Sequence, residues 1–216
     1  MTGKRKSVWQ GRILTAVIIA VLATAAGIWS AQLVLDRRQI DTSGLEATRF
    51  PAARKIGAFS LVDHNGSVFD NAALKGRWSF LFFGYTHCPD VCPTTLAVLN
   101  SVAQQLQDVP DDIRFVFVTV DPERDTPEQL AGFIRYFNSD FIGVTGTPAN
   151  IEHLTRELGI LHMKVDAGEA GAAYLVDHTA SVLLFDPDGR YHAVFSPPLT
   201  AADISRDFRL MREAYR

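Results

Sequence analysis

Two cysteines, Cys88 and Cys92, stand four positions apart in the run Cys88-Pro89-Asp90-Val91-Cys92, and they are the only two in the chain. The thiolate form of cysteine both attacks disulfides and binds soft metal ions. At the start of a helix, a spacing of four puts both sulfurs on one side of the turn, close enough to share an ion or to close a disulfide. The spacing leaves both outcomes open. A bridge across three intervening residues removes little unfolded-state entropy, so a purely stabilising disulfide would contribute modestly compared with one closing a long loop. Ligand softness separates the metals. Two thiolates and one imidazole suit copper, especially Cu(I), in a three-coordinate site, whereas structural zinc takes four protein ligands, a set this sequence does not offer.

The elements that position these residues can be read around them. Trp78 to Tyr85 is a continuous apolar and aromatic run, as expected of a strand buried on both faces, and Cys88 follows just beyond its end. The thiols therefore sit where a strand turns into a helix, at the carboxyl end of the sheet, where α/β folds place their sites and where the helix dipole favours a thiolate. Leu96, Leu99, Ala103 and Leu106 then recur at helical spacing, with Gln104, Gln105 and Asp108 on the other side. Ile113 to Val120 is a second buried strand. Asp125-Thr126-Pro127-Glu128 starts a helix, with the acid read as its cap. Phe141 to Val144 is a third strand, and Thr147-Pro148 opens a helix to Leu158.

Two hairpins flank this alternation. Phe59 to Val62 and Ser67 to Phe69 bracket Asp63-His64-Asn65-Gly66, where Asn-Gly supplies the positive φ angles of a tight turn. Ala180 to Phe185 and Tyr191 to Phe195 bracket Asp186-Pro187-Asp188-Gly189, and Thr200 caps a last helix that turns Ile204, Phe208 and Met211 inward. A strand–helix crossover unit followed by a hairpin and a helix is the thioredoxin order, so the fold class expected is α/β, thioredoxin-like, with an added N-terminal β-hairpin. In that topology the loop entering the strand Ala180 to Phe185 faces the cysteine turn. That makes His178 the third ligand, with His87, adjacent to Cys88, as its competitor. His64, His153, His162 and His192 read as surface or structural residues.

Ahead of the domain, Ile13 to Leu35 contains no charged residue, and its 23 residues would rise about 34 Å as a helix, enough for a hydrocarbon core of about 30 Å. Lys4, Arg5, Lys6 and Arg12 precede it, so the positive-inside bias sends the rest of the chain across the membrane. The expected organisation is a cytoplasmic N-terminus (residues 1–12), a transmembrane anchor (13–35), a tether (36–54) and a thioredoxin-like copper-binding domain (55–216). A cleaved signal peptide is the rival, and either places the thiols in an oxidising compartment. The short N-terminus favours a single-pass protein of the bacterial inner membrane with a periplasmic domain over a mitochondrial one. The net charge of −3 and the lack of a basic stripe argue against nucleic acid as a partner. No phosphate-binding glycine loop, Gly-x-Ser-x-Gly elbow or paired-carboxylate site occurs.

The segment Phe83-Gly84-Tyr85-Thr86-His87-Cys88-Pro89-Asp90-Val91-Cys92-Pro93-Thr94-Thr95-Leu96 resembles the signature of the Sco/SenC copper chaperones. Val120-Asp121-Pro122-Glu123-Arg124-Asp125-Thr126-Pro127 and Asp177-His178-Thr179 are similar to that family's later blocks, in the same order. The resemblance implies one copper ion per chain, Cu(I) or Cu(II), held by Cys88, Cys92 and His178. It also implies loading of the dinuclear copper centre of cytochrome c oxidase subunit II, with a copper donor protein and a thiol reductant as further partners. Such a chaperone does not turn over as an enzyme. The competing reading is a thiol-disulfide oxidoreductase with Cys88 as nucleophile and Cys92 resolving. Ordinary thioredoxin-like oxidoreductases have two residues between their cysteines and a proline where this chain has His178-Thr179. The resemblance makes Asp121 and Asp125 look functional, but a turn and a helix cap account for them, and that is the preferred reading.

Overall fold

The computed structural model describes residues 17–32, 44–109, 113–166 and 174–215. The chain divides into two units, one of Gly44–Arg209 and one of the terminal stretches Met1–Ser43 and Leu210–Arg216. In the latter, residues 17–32 form helix α1, with every side chain exposed. Its sixteen residues rise about 24 Å, and among the described residues no helix is long and apolar enough to cross a membrane. Helix α1 covers residues 17–32 of the span expected over residues 13–35, whose two ends lie outside the described residues.

The larger unit is built on an eight-stranded sheet of order β1-β10-β9-β4-β5-β6-β2-β3. Its strands are β1 (Thr48–Arg54), β2 (Ser60–Asp63), β3 (Val68–Asp70), β4 (Trp78–Gly84), β5 (Ile113–Thr119), β6 (Ile142–Thr145), β9 (Val182–Phe185) and β10 (Tyr191–Phe195). Helices α2 (Val91–Gln105), α3 (Pro127–Phe137) and α4 (Pro148–Leu158) alternate with the central strands, and α5 (Ala201–Tyr215) follows β10. β4, β5 and β6 pair in parallel, and β9 joins β4 antiparallel. All seven residues of β4 are buried, and Phe80, Phe82, Phe83, Phe117 and Phe185 fill the core around it. This is the expected thioredoxin-like arrangement, and the hairpin β2–β3 is added to it at β6.

Local chemistry explains the element ends. Thr126, not Asp125, caps α3: its hydroxyl accepts from the Gln129 amide, Gln129 reaches back to the Thr126 amide, and Pro127 occupies the first turn. Thr147 caps α4 by accepting from the Asn150 amide, with Pro148 in the first turn, and Gly159 ends the helix at φ +72°. In the β2–β3 turn only Gly66 takes a positive φ, and the Asp63 carboxylate accepts from the Asn65 and Ser67 amides, so one left-handed residue suffices where two were expected.

Two features depart from the sequence reading. Thr48–Arg54, read as tether, is β1, the edge strand paired with β10. Between α4 and β9 the chain forms a separate two-stranded ribbon, β7 (His162–Val165) against β8 (Leu175–His178), which is not hydrogen-bonded into the main sheet. His178 is the last residue of that ribbon, on a strand rather than in a loop.

Candidate metal centre

Cys88 lies in the turn after β4, and Cys92 is the second residue of α2, with its side chain fully buried. Both cysteines are free. The ribbon carries His178 across to them: its Nε2 lies 3.3 Å from Cys92 Sγ, and the Cys92 amide donates to Cys88 Sγ at 3.4 Å. The three ligand atoms all fall within 4.8 Å of one another, the one such group of three or more ligating side chains among the described residues. An ion with three bonds of about 2.2 Å in a plane spaces its donors about 3.8 Å apart, so the observed separations suit a shared ion with small side-chain adjustments. His178 Nδ1 lies 3.2 Å from the Thr179 carbonyl oxygen. A carbonyl only accepts, so Nδ1 carries the proton and Nε2 turns its lone pair toward the sulfurs, the tautomer a metal needs. The edges of Phe82 and Tyr85 pack about the imidazole at centroid distances of 6.0 Å.

The two thiols are unequal. Cys88 is lowered to about 3, chiefly because the Cys92 thiol hydrogen-bonds to it, with help from the backbone amides of Cys92 and Asp90 against the cost of burial. Cys92 is pushed up by the same hydrogen bond and by its own burial. The pair thus holds one proton, on the buried sulfur, and presents one thiolate at the partly exposed Cys88. Space is tight behind Cys92. A Cβ on Gly84, at the end of β4, would lie 2.7 Å from Cys92 Sγ and 2.8 Å from the Phe117 ring.

His87 is not in the cluster. Its side chain is half exposed, and its Nδ1 lies 3.1 Å from Thr86 Oγ1 and 3.8 Å from the Asp125 carboxylate. His64, His153 and His162 serve elsewhere: His64 Nδ1 accepts from the Gly143 amide, His153 meets the Ala58 carbonyl and His162 faces Glu152. His192 is buried against Trp78. The sequence reading prefers local structure, a turn and a helix cap, for Asp121 and Asp125. Both are fully buried and bonded to the segments around the site, and neither is the helix cap. The sequence offers little signal for this, since the two acids lie in a charged loop, Asp121-Pro122-Glu123-Arg124-Asp125, that looks exposed.

A thioredoxin-like sheet with a thiol pair and an imidazole meeting at the carboxyl ends of its strands defines the class: a thioredoxin-fold protein whose site fits copper binding. The sequence model of the SCO1/SenC family matches residues 47–212, and the chain belongs to that family. It is 33% identical to the SCO2-like protein of Rickettsia prowazekii over 201 residues, covering 93% of this chain and 98% of that protein. It is likewise 33% identical to the mitochondrial SCO2 homologue of Homo sapiens over 198 residues, 90% of this chain and 73% of the relative. Among solved structures it is similar to ScoI of Bradyrhizobium japonicum with copper bound, at a TM-score of 0.65 and 37% identity, over 73% of this chain and 98% of that one.

Proposed function

We propose that this protein is a copper chaperone: Cys88, Cys92 and His178 take up one copper ion and pass it by ligand exchange to the dinuclear copper centre of cytochrome c oxidase subunit II. The carrying observation is the convergence of two sulfurs and one imidazole nitrogen within 4.8 Å, with the imidazole lone pair facing the thiols. The donor set is soft and three in number, which favours Cu(I) while leaving room for Cu(II). The copper-bound relative from Bradyrhizobium japonicum supports copper as the ion. Partial exposure of Cys88 gives an incoming ligand a sulfur to displace, while buried Cys92 holds the ion meanwhile. A copper donor and a thiol reductant would supply the ion and the reduced pair.

The uncharged run Ile13 to Leu35, with four basic residues before it, supports a membrane anchor that leaves the N-terminus in the cytoplasm and the domain in the periplasm. Curated relatives are both bacterial and mitochondrial, and the bacterial inner membrane is the location proposed here. Retention of the full chain in the membrane after carbonate extraction tests the anchor.

A second reading is supported by the lowered Cys88 thiol. Its thiolate would attack a partner's disulfide sulfur, forming a mixed disulfide and releasing one partner thiolate. Cys92 would then give up its proton and attack Cys88, closing the Cys88–Cys92 disulfide and leaving the partner with two thiols and two electrons. A Cu(I) competition titration on the reduced chain separates the readings. One equivalent bound supports the chaperone. No copper uptake together with rapid disulfide reduction makes the oxidoreductase the function.

A further inference from the structure

The residues that would ligate copper come from two segments with no backbone hydrogen bonds between them in the sheet, and both are tied to one short stretch, Asp121-Pro122-Glu123-Arg124-Asp125, between β5 and α3. Asp125 is fully buried and faces the cysteine side. Its carboxylate accepts from the Thr86 amide at 3.0 Å, from the Thr86 hydroxyl at 2.6 Å and from the Thr119 hydroxyl at 2.6 Å. Thr86 lies two residues before Cys88, so this carboxylate fixes the path of the turn that carries the thiolate.

Asp121, equally buried, faces the ribbon. It accepts from the Tyr174 hydroxyl at 2.8 Å and pairs with the Arg124 guanidinium. Arg124 donates in turn to the Tyr174 carbonyl and lies 3.7 Å above the Tyr174 ring. Lys164 of β7 pairs with Glu123 at 2.6 Å and lies 4.7 Å from the centroid of the same ring. Tyr174 leads directly into β8, which ends at His178. A lone two-stranded ribbon is marginal in water, so its position depends on such ties. Besides them, the Tyr85 hydroxyl reaches the Val176 backbone. Thr119 links the Asp125 carboxylate to the Asp121 backbone, since its hydroxyl donates to the former and accepts from the Asp121 amide.

We propose that Asp121 and Asp125 are a pair of positioning residues, Asp125 setting the thiol turn and Asp121 setting the ribbon that brings the imidazole. Neither touches the metal, and each acts through a different half of the ligand set. The proposal rests on the copper reading for its metal readout and on geometry alone for its backbone readout.

The test compares Asp121→Asn and Asp125→Asn in the full chain. In the copper-free protein, hydrogen exchange of the Val176–His178 amides rises about tenfold in the first variant and that of the Thr86–Cys88 amides rises about tenfold in the second, with other regions unchanged. With Cu(II) added, Asp121→Asn loses the nitrogen coupling of the imidazole in electron paramagnetic resonance and keeps the thiolate charge-transfer band, whereas Asp125→Asn alters the band and keeps the coupling. General destabilisation would move both segments together in both variants and would overturn the proposal, as would parent-like exchange and spectra. If Asp121→Asn does not fold, Tyr174→Phe, which removes one hydroxyl, carries the same comparison. A parent that binds no copper defeats the copper reading, and the exchange data still decide the positioning.

Discussion

The thiol turn and the histidine ribbon meet at one point but are held by different physics. Cys88 and Cys92 hang from β4, a strand buried on every residue in the middle of the sheet, and from the first turn of α2. His178 hangs from a two-stranded ribbon outside that sheet, with half-exposed or exposed residues at seven of its eight positions and Val176 alone buried. The sulfurs are therefore preset by core packing, while the imidazole is set by a few polar contacts. Local opening is therefore expected to free the imidazole more readily than either sulfur.

The largest effect expected is on the rigid side. Cys88→Ser or Cys92→Ser removes a soft donor and should lower Cu(I) affinity on the order of a thousandfold, measured by competition with a chelator of known affinity. His178→Ala, on the adjustable side, should lower it about a hundredfold, because two thiolates alone still bind Cu(I). Equal losses for all three would break the comparison. Gly84→Ala tests the packing behind the thiols. Its methyl would press on Cys92 Sγ and Phe117, costing about 1–3 kcal/mol in urea unfolding and disturbing Cys92 while the ribbon is untouched.

How far the sequence revealed this asymmetry follows the same division. β4, β5, β9 and, to within a residue, the starts of α3 and α4 were legible because continuous apolar runs and Thr-Pro steps are local signals. β1 was not, since Arg49, Pro51 and Arg54 give an edge strand the look of a tether. The ribbon was not, because β7 and β8 lack an apolar run and are held in place by contacts between residues far apart in sequence, such as that of Tyr174 with Asp121. Asp125 was misplaced as a cap because its partner Thr86 lies 39 residues away. Cys88, Cys92 and His178 were named from softness and topology, and the structure brings them together.

Acidity sharpens the contrast further. With Cys88 lowered to about 3, its alkylation by iodoacetamide in the reduced copper-free protein should stay within about twofold from pH 5 to 8, where an ordinary thiol would gain about tenfold per unit. The sign for stability follows. The folded value of Cys88 lies below the unfolded one, so its contribution is fully present only above the unfolded value of 9.0 and is lost as pH falls toward 3. Cys92 is raised, so its contribution is present below 9.0 and is lost at higher pH. A rate that climbs steadily through neutrality would remove the preset thiolate from the rigid side.

The smallest effect concerns His87, which adjoins Cys88 in sequence and yet belongs to neither half of the ligand set. Its half-exposed ring turns to Thr86 and Asp125 rather than to the sulfurs, and surface contacts of that kind contribute little. His87→Ala should therefore change Cu(I) affinity by less than about threefold, within the spread of context effects on a neighbouring charge. A loss as large as that of His178→Ala would mean that the imidazole is supplied by the turn itself. The ribbon would then have no part in holding the ion, and the division between a preset and a yielding ligand would fall.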